Sequence, residues 1–183
     1  MSTPQLPASR LSFQAFHALY AKPWFDYVYL QTADREVARN TVREAFGHLE
    51  REWQHALEQE SVSAYAWRIL KEHVGAWLVA NGRVVAIRET AAFAPLARAL
   101  DLTRDRFALM ESRLGLFHAL LRLTERQYDV IVLRYVMGCT DAEVAGRLGV
   151  AESTVRSTVR HAKRRLAREL RISEQPRTTS GRN

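Results

Sequence analysis

Between Thr140 and Leu170 the chain reads TDAEVAGRLGVAESTVRSTVRHAKRRLAREL, and its apolar positions change phase once, at a glycine. Val144 and Leu148 mark the inner face of a short helix, with Val150 just past its end. Val155, Val159, Ala162 and Leu166 then follow the three- and four-residue steps of a second helix. Helices joined through a turn of about three or four residues cross steeply and leave little room where they meet. Ala145 supplies the small side chain at that approach, and Gly149 supplies the turn, where a positive φ costs glycine little. Thr140 and Glu143 have the spacing of a capping box, which fixes the start of the first helix. These residues define a helix-turn-helix.

The outer face of the second helix is polar and mostly basic. It holds Glu152, Ser153, Thr154, Arg156, Ser157, Arg160, His161, Lys163, Arg164, Arg165 and Arg168. When such a helix lies in the major groove, side chains near its N-terminus reach base edges and later cations meet phosphates. Ser153, Thr154, Arg156, Ser157 and Arg160 are therefore the base-edge candidates, arginine being suited to bidentate bonds with guanine. Lys163, Arg164 and Arg168 are the phosphate candidates, and His161 shares their face. A basic helix on its own is often only a solvated face; the Ala145 and Gly149 spacing favours DNA here.

Charge is distributed to match. Residues 1–111 carry 13 basic and 13 acidic side chains, whereas residues 112–183 carry 14 and 7, so the whole net charge of +7 is C-terminal. One half brings the chain to nucleic acid and the other half has a different task. No stretch approaches the roughly 18 apolar residues of a membrane span, and the polar N-terminus MSTPQLPASR is unlike a secretory signal. The reading is cytoplasmic, with no membrane partner. A single cysteine, Cys139, excludes an internal disulfide and is read as a small buried hydrophobe. The histidines 17, 48, 55, 73, 118 and 161 show no paired metal spacing, so neither a metal nor a cofactor is expected. Phosphate-loop, nucleophile-elbow and Cys-His patterns are missing from the sequence, so no enzyme is expected.

Helical periodicity runs through nearly the whole chain, and the expected fold is all-α: two small helical domains joined by a linker. The first domain, residues 10–82, begins with an aromatic helix over Phe13 to Tyr29 interrupted near Pro23, with Phe13, Phe16, Leu19 and Tyr20 at core spacing. A long amphipathic helix from Asp34 to about Gln59 follows, using Val37, Ala38, Thr41, Val42, Ala45, Phe46, Leu49 and Trp53. A third helix spans Val62 to Val79, and Asn81-Gly82 ends it. Residues 83–106 read as a linker containing the short β-branched run Val84 to Ile87. Residues 107–172 form a four-helix domain, with Thr124 and Gln127 as a second capping box and Gly138 closing the helix after it. Residues 173–183 read as a disordered tail.

The run LTERQYDVIVLRYVMGCTDAEVAGRLGVAESTVRSTVRHAKRRLAREL, about a quarter of the chain, resembles region 4 of bacterial sigma factors of the sigma-70 family. The N-terminal run FHALYAKPWFDYVYLQTADREVARNTVREAFGHLEREW, followed by an aromatic-rich helix, is similar in layout to region 2 of the extracytoplasmic-function type. The resemblance implies a sigma factor that binds core RNA polymerase and melts the minus-10 element through region 2. Region 4 would then read the minus-35 element and touch the polymerase flap. It places polymerase contacts at Asn40, Arg43, Glu44 and Phe46, where the family usually has the form D-x-x-Q-E. Minus-10 contacts fall to Trp67, Arg68 and Lys71, the last two being the only Lys or Arg of AYAWRILKEHVGAWL. Trp67 between cations suits stacking on single-stranded bases. Thr158 stands where the family often has arginine, and Ala151 where a Ser or Thr cap is usual. Promoter DNA, core RNA polymerase and an anti-sigma factor are the implied partners. Two other readings stand beside this one: a helix-turn-helix regulator that binds duplex without acting as a sigma factor, and a pure protein-interaction module.

Overall fold

The computed structural model describes residues 8–82 and 108–173, and every regular element among them is helical. In the first stretch lie α1 (Ala8–Thr32), α2 (Arg35–Arg51), α3 (Trp53–Leu57) and α4 (Val62–Ala80). In the second lie α5 (Ala108–Leu121), α6 (Glu125–Ile131), a π-helical turn (Val132–Val136), α7 (Asp141–Leu148) and α8 (Glu152–Ser173). The linker expected over 83–106 and the tail from residue 174 lie outside the described residues; Ser173 itself ends α8.

Helices α1, α2 and α4 pack around an aromatic core. Trp24 stacks on Phe46 with ring centres 4.3 Å apart, Phe13 meets Trp53 edge-on at 5.2 Å, and the Trp53 indole donates to Ser12 Oγ at 3.0 Å. The expected interruption at Pro23 does not occur, and α1 runs straight through it. A proline inside a helix costs about 3 kcal/mol. The helix beyond it buries Trp24 and Tyr27 almost completely. Aromatic side chains of this size bury about 150–250 Å² each, roughly 4–6 kcal/mol apiece at about 25 cal/mol per Å². Packing therefore outweighs the lost bond. Leu19, expected in the core, is 68% exposed. It lies about 100° round the helix from Tyr20, outside the arc of Phe13, Trp24 and Tyr27.

Asp34 caps α2, accepting from the backbone nitrogens of Glu36 at 2.8 Å and Val37 at 3.0 Å. The single helix expected as far as Gln59 breaks at Glu52 (φ −104°, ψ 13°), giving α2 and α3. The apolar period continues across this point to Trp53, which hides the break in the sequence. What marks it is tertiary: the Tyr65 hydroxyl of α4 donates to Glu52 Oε2 at 2.5 Å.

In the second stretch, α8 packs against α5, α6 and α7. Leu116, Leu120, Ile131, Leu133, Val144, Val155 and Ala162 are buried there. Both expected capping boxes form, Thr124 with Gln127 and Thr140 with Glu143. Gly138, at φ +70°, reverses the chain after the π-helical turn. Arg134 ties that turn to α7, donating to the Cys139 carbonyl at 3.0 Å and pairing with Asp141 at 2.8 Å. The two sets of helices meet along α4 and α7.

Candidate nucleic-acid interface

The helix-turn-helix is α7, Gly149 and α8. Thr140 Oγ1 accepts from the Glu143 backbone nitrogen at 3.2 Å while Glu143 Oε2 accepts from the Thr140 nitrogen at 2.7 Å. The Thr140 backbone bond, then the Thr140 hydroxyl donating to the same Oε2 at 3.0 Å, hold the Glu143 carboxyl below the usual carboxylate range. Gly149 takes φ +63° and ψ 42°, and the Val150 nitrogen closes the turn on the Ala145 carbonyl at 3.0 Å. The inner stripe of α8 is as the spacing predicts: Val155, Ala162 and Leu166 are buried and Val159 half-buried.

Every residue assigned to duplex DNA lies on α8. Ser153, Arg156, Arg160, His161, Lys163, Arg164 and Arg168 are exposed, and Thr154 and Ser157 are half-buried. Arg156 pairs with Glu152 at 3.2 Å, one helical turn away, with both side chains more than half exposed. Such a pair, exposed to solvent, is worth little. Ser157 Oγ donates to the Thr154 carbonyl at 3.0 Å, so its hydroxyl offers acceptor lone pairs outward. The Lys163 ammonium rests 4.7 Å from the centre of the Tyr135 ring, a cation–π contact that steadies it beside the π-helical turn. Glu152 in the first turn of α8 complements the helix dipole where Ala151 offers no side-chain cap.

The N-terminal candidates fare less evenly. Asn40, Arg43 and Glu44 stand on one side of α2, with Arg43 Nη2 donating to Asn40 Oδ1 at 2.9 Å. Phe46 is 4% exposed and belongs to the aromatic core. On α4, Arg68 is exposed and pairs with Glu72 at 2.8 Å. Trp67 and Lys71, by contrast, turn into the seam between the two sets of helices.

The residue at that seam is Asp129, which no sequence motif singles out. Its carboxylate is buried and accepts from three donors: Tyr27 OH at 2.6 Å, Lys71 Nζ at 2.9 Å and Trp67 Nε1 at 3.1 Å. Burial, then the Asp129 charge, pushes the Tyr27 phenol well above its ordinary value. Beside it the Tyr128 hydroxyl donates to Gln31 Oε1 at 2.8 Å, both side chains buried. The signal in the sequence is a carboxylate set within the apolar run Tyr128-Asp129-Val130-Ile131, since unpaired Asp is almost never fully buried. Cys139 is buried as expected, its thiol pushed up by burial.

Helices, turn and basic outer face together define a helix-turn-helix protein. No helix among the described residues is long and apolar enough to cross a membrane. Residues 113–166 match the family model for sigma-70 region 4. The ECF RNA polymerase sigma factor SigM of Mycobacterium tuberculosis, in two strains, is 36% identical over 102 residues, covering 53% of this chain and 52% of the relative. This chain thus spans about half the length of the curated relatives it matches. A solved structure, the RsbN-BldN complex, aligns over 85% of this chain and 89% of that chain at 20% identity, with a TM-score of 0.31, too low to indicate a shared arrangement. The chain is thus similar to sigma-70 region 4 over residues 113–166 and to an extracytoplasmic-function sigma factor over 102 residues.

Proposed function

We propose that this chain is a sigma factor that binds core RNA polymerase and directs it to promoters, with α8 reading the minus-35 element. The observation that carries this reading is the exposed basic face of α8, from Arg156 to Arg168, on a capped helix-turn-helix within the region 4 match. Ser153, Thr154, Arg156, Ser157 and Arg160 read base edges; His161, Lys163, Arg164 and Arg168 hold phosphates. Trp67, Arg68 and Lys71 on α4 receive the opened minus-10 strand, Trp67 by stacking and the two cations at phosphates. Asn40, Arg43 and Glu44 face polymerase, with Phe46 setting the position of α2 from within the core. The chain performs no catalysis of its own and works in the cytoplasm, where polymerase and promoter are.

Run-off transcription from genomic promoters with sigma-free core polymerase tests this. Specific initiation that depends on the added chain is expected. Duplex binding without affinity for core polymerase would overturn the sigma reading in favour of a helix-turn-helix regulator.

A further inference from the structure

His48 on α2 and His73 on α4 face each other across the two helices, His48 Nδ1 lying 3.3 Å from His73 Nε2 with the rings inclined at 72°. Each ring turns its other nitrogen toward a carboxylate. His48 Nε2 is 3.4 Å from Glu52 Oε2, and His73 Nδ1 is 3.9 Å from Glu44 Oε2. Glu44, His48 and Glu52 are spaced by four residues and so lie along one side of α2 and its C-terminal cap. From α4 the Tyr65 hydroxyl holds Glu52 in place at 2.5 Å. Both imidazoles are reached by solvent, His48 at 31% exposure and His73 at 25%. The two histidines are 25 residues apart in sequence, so no local spacing announces them.

A neutral imidazole has one N–H and one lone pair. The bond between the rings uses an N–H of one and a lone pair of the other, so one of the two outward nitrogens is left with a bare lone pair set against a carboxylate. A cation between the inner nitrogens removes this mismatch. Both rings then offer a lone pair inward and an N–H outward, and each N–H meets its own carboxylate, the second-shell arrangement that fixes the tautomer and raises ligand basicity. The separation fits as well: two zinc–nitrogen bonds of about 2.0–2.1 Å at a tetrahedral angle put their nitrogens about 3.3–3.4 Å apart. Rotation about χ2, a broad torsion for histidine, brings the two lone pairs to converge on one ion. Of the charges around the pair, Glu44, Glu52 and Glu72 are anionic and Arg51 is cationic, a balance that favours an added cation. Among the described residues no three His, Cys, Asp or Glu side chains form a metal site, so the rest of the shell falls to water.

We propose that His48 Nδ1 and His73 Nε2 bind one divalent transition-metal ion of the zinc class, with Glu52 and Glu44 behind them and water in the remaining positions. Imidazole nitrogen selects ions of this class over Mg²⁺ and Ca²⁺, which take oxygen ligands. The ion joins α2 to α4, helices that already pack together, and stabilises the folded chain as its occupancy rises. The site is independent of the sigma reading, and its test needs neither polymerase nor DNA.

The test titrates Zn²⁺ into the full, chelator-stripped chain without a histidine tag and follows all six histidine rings by nitrogen–proton NMR. At equal zinc and protein the signals of His48 and His73 should move together, His48 metallated at Nδ1 and His73 at Nε2, ahead of His17, His55, His118 and His161. Mg²⁺ in place of Zn²⁺ should move neither ring. Calorimetry on variants supplies the second measurement: Glu52→Gln should weaken zinc binding about tenfold or more, and His73→Gln, which removes a ligand, further still. Zinc should also raise the melting temperature of the parent and leave that of His73→Gln unchanged. Rings that stay in place with zinc in excess, or another histidine that moves first, would overturn the site. Binding undiminished in His73→Gln would do the same.

Discussion

Gly149 is asked to do two things at once, and a neighbouring glycine separates them. Its φ of +63° puts it in the left-handed region, and its Cα faces Ser61, the N-cap of α4, and Ala64 within that helix, with no room for a methyl group. Gly138 has the same backbone, φ +70°, and nothing within 4 Å of where a methyl group would sit. Gly138→Ala therefore costs only the backbone strain, about 1–2 kcal/mol. Gly149→Ala carries that strain and the collision with α4, and forcing a methyl into a packed seam adds about 1–3 kcal/mol. The seam can also part and relieve the collision, in which case the added loss equals whatever the packed seam contributes. In either event Gly149→Ala is the more destabilised of the two. Urea unfolding of both variants beside the parent measures the difference from midpoints at a common slope. Equal midpoints for Gly138→Ala and Gly149→Ala would refute the close approach of the turn to α4 and, with it, the fitted seam.

The capping box gives a smaller, cleaner effect: Thr140→Ala should cost about 1 kcal/mol in urea unfolding and Thr140→Ser much less, because only alanine loses the hydroxyl acceptor. On duplex DNA, Arg156→Ala should cost about 1–3 kcal/mol on the preferred sequence and relax preference at one position, whereas Arg164→Ala should weaken all duplexes alike and lower the salt slope by about one; equal losses on specific and random duplexes for both would remove the division of roles along α8. Between α2 and α4, His48 Nδ1 and His73 Nε2 lie 3.3 Å apart, and burial followed by the His48 charge holds His73 below its ordinary value of 6.5. The unfolded chain then takes up the proton more readily, so this contribution is complete above about pH 6.5 and is lost as pH falls from there through the folded value. Melting temperature should drop between pH 7.5 and 5.5 by less in His73→Gln than in the parent, and an identical drop would show that the pair plays no part.

Local order was readable from the chain because its causes are local. Both capping boxes, the left-handed Gly149, the stripe of Val155, Ala162 and Leu166, and the helical character of the described residues follow from a residue and its neighbours within one or two turns. The same holds for the exposed cations of α8, since a helix with one apolar stripe must turn its charges away from it. Three features were not readable in this way. Pro23 sits inside an unbroken helix because Trp24 and Tyr27 find partners elsewhere in the chain. The helix expected to reach Gln59 ends at Arg51, with Glu52 bonded to a tyrosine on α4. Asp129, an acidic residue in an apolar run, becomes the meeting point of Tyr27, Trp67 and Lys71, which lie 58 to 102 residues away in sequence. Sequence by itself determined the helical character and the basic face of α8; tertiary structure alone decided where α1 and α2 end and which side chains of α4 are buried, because burial of a charge depends on donors that no local pattern encodes.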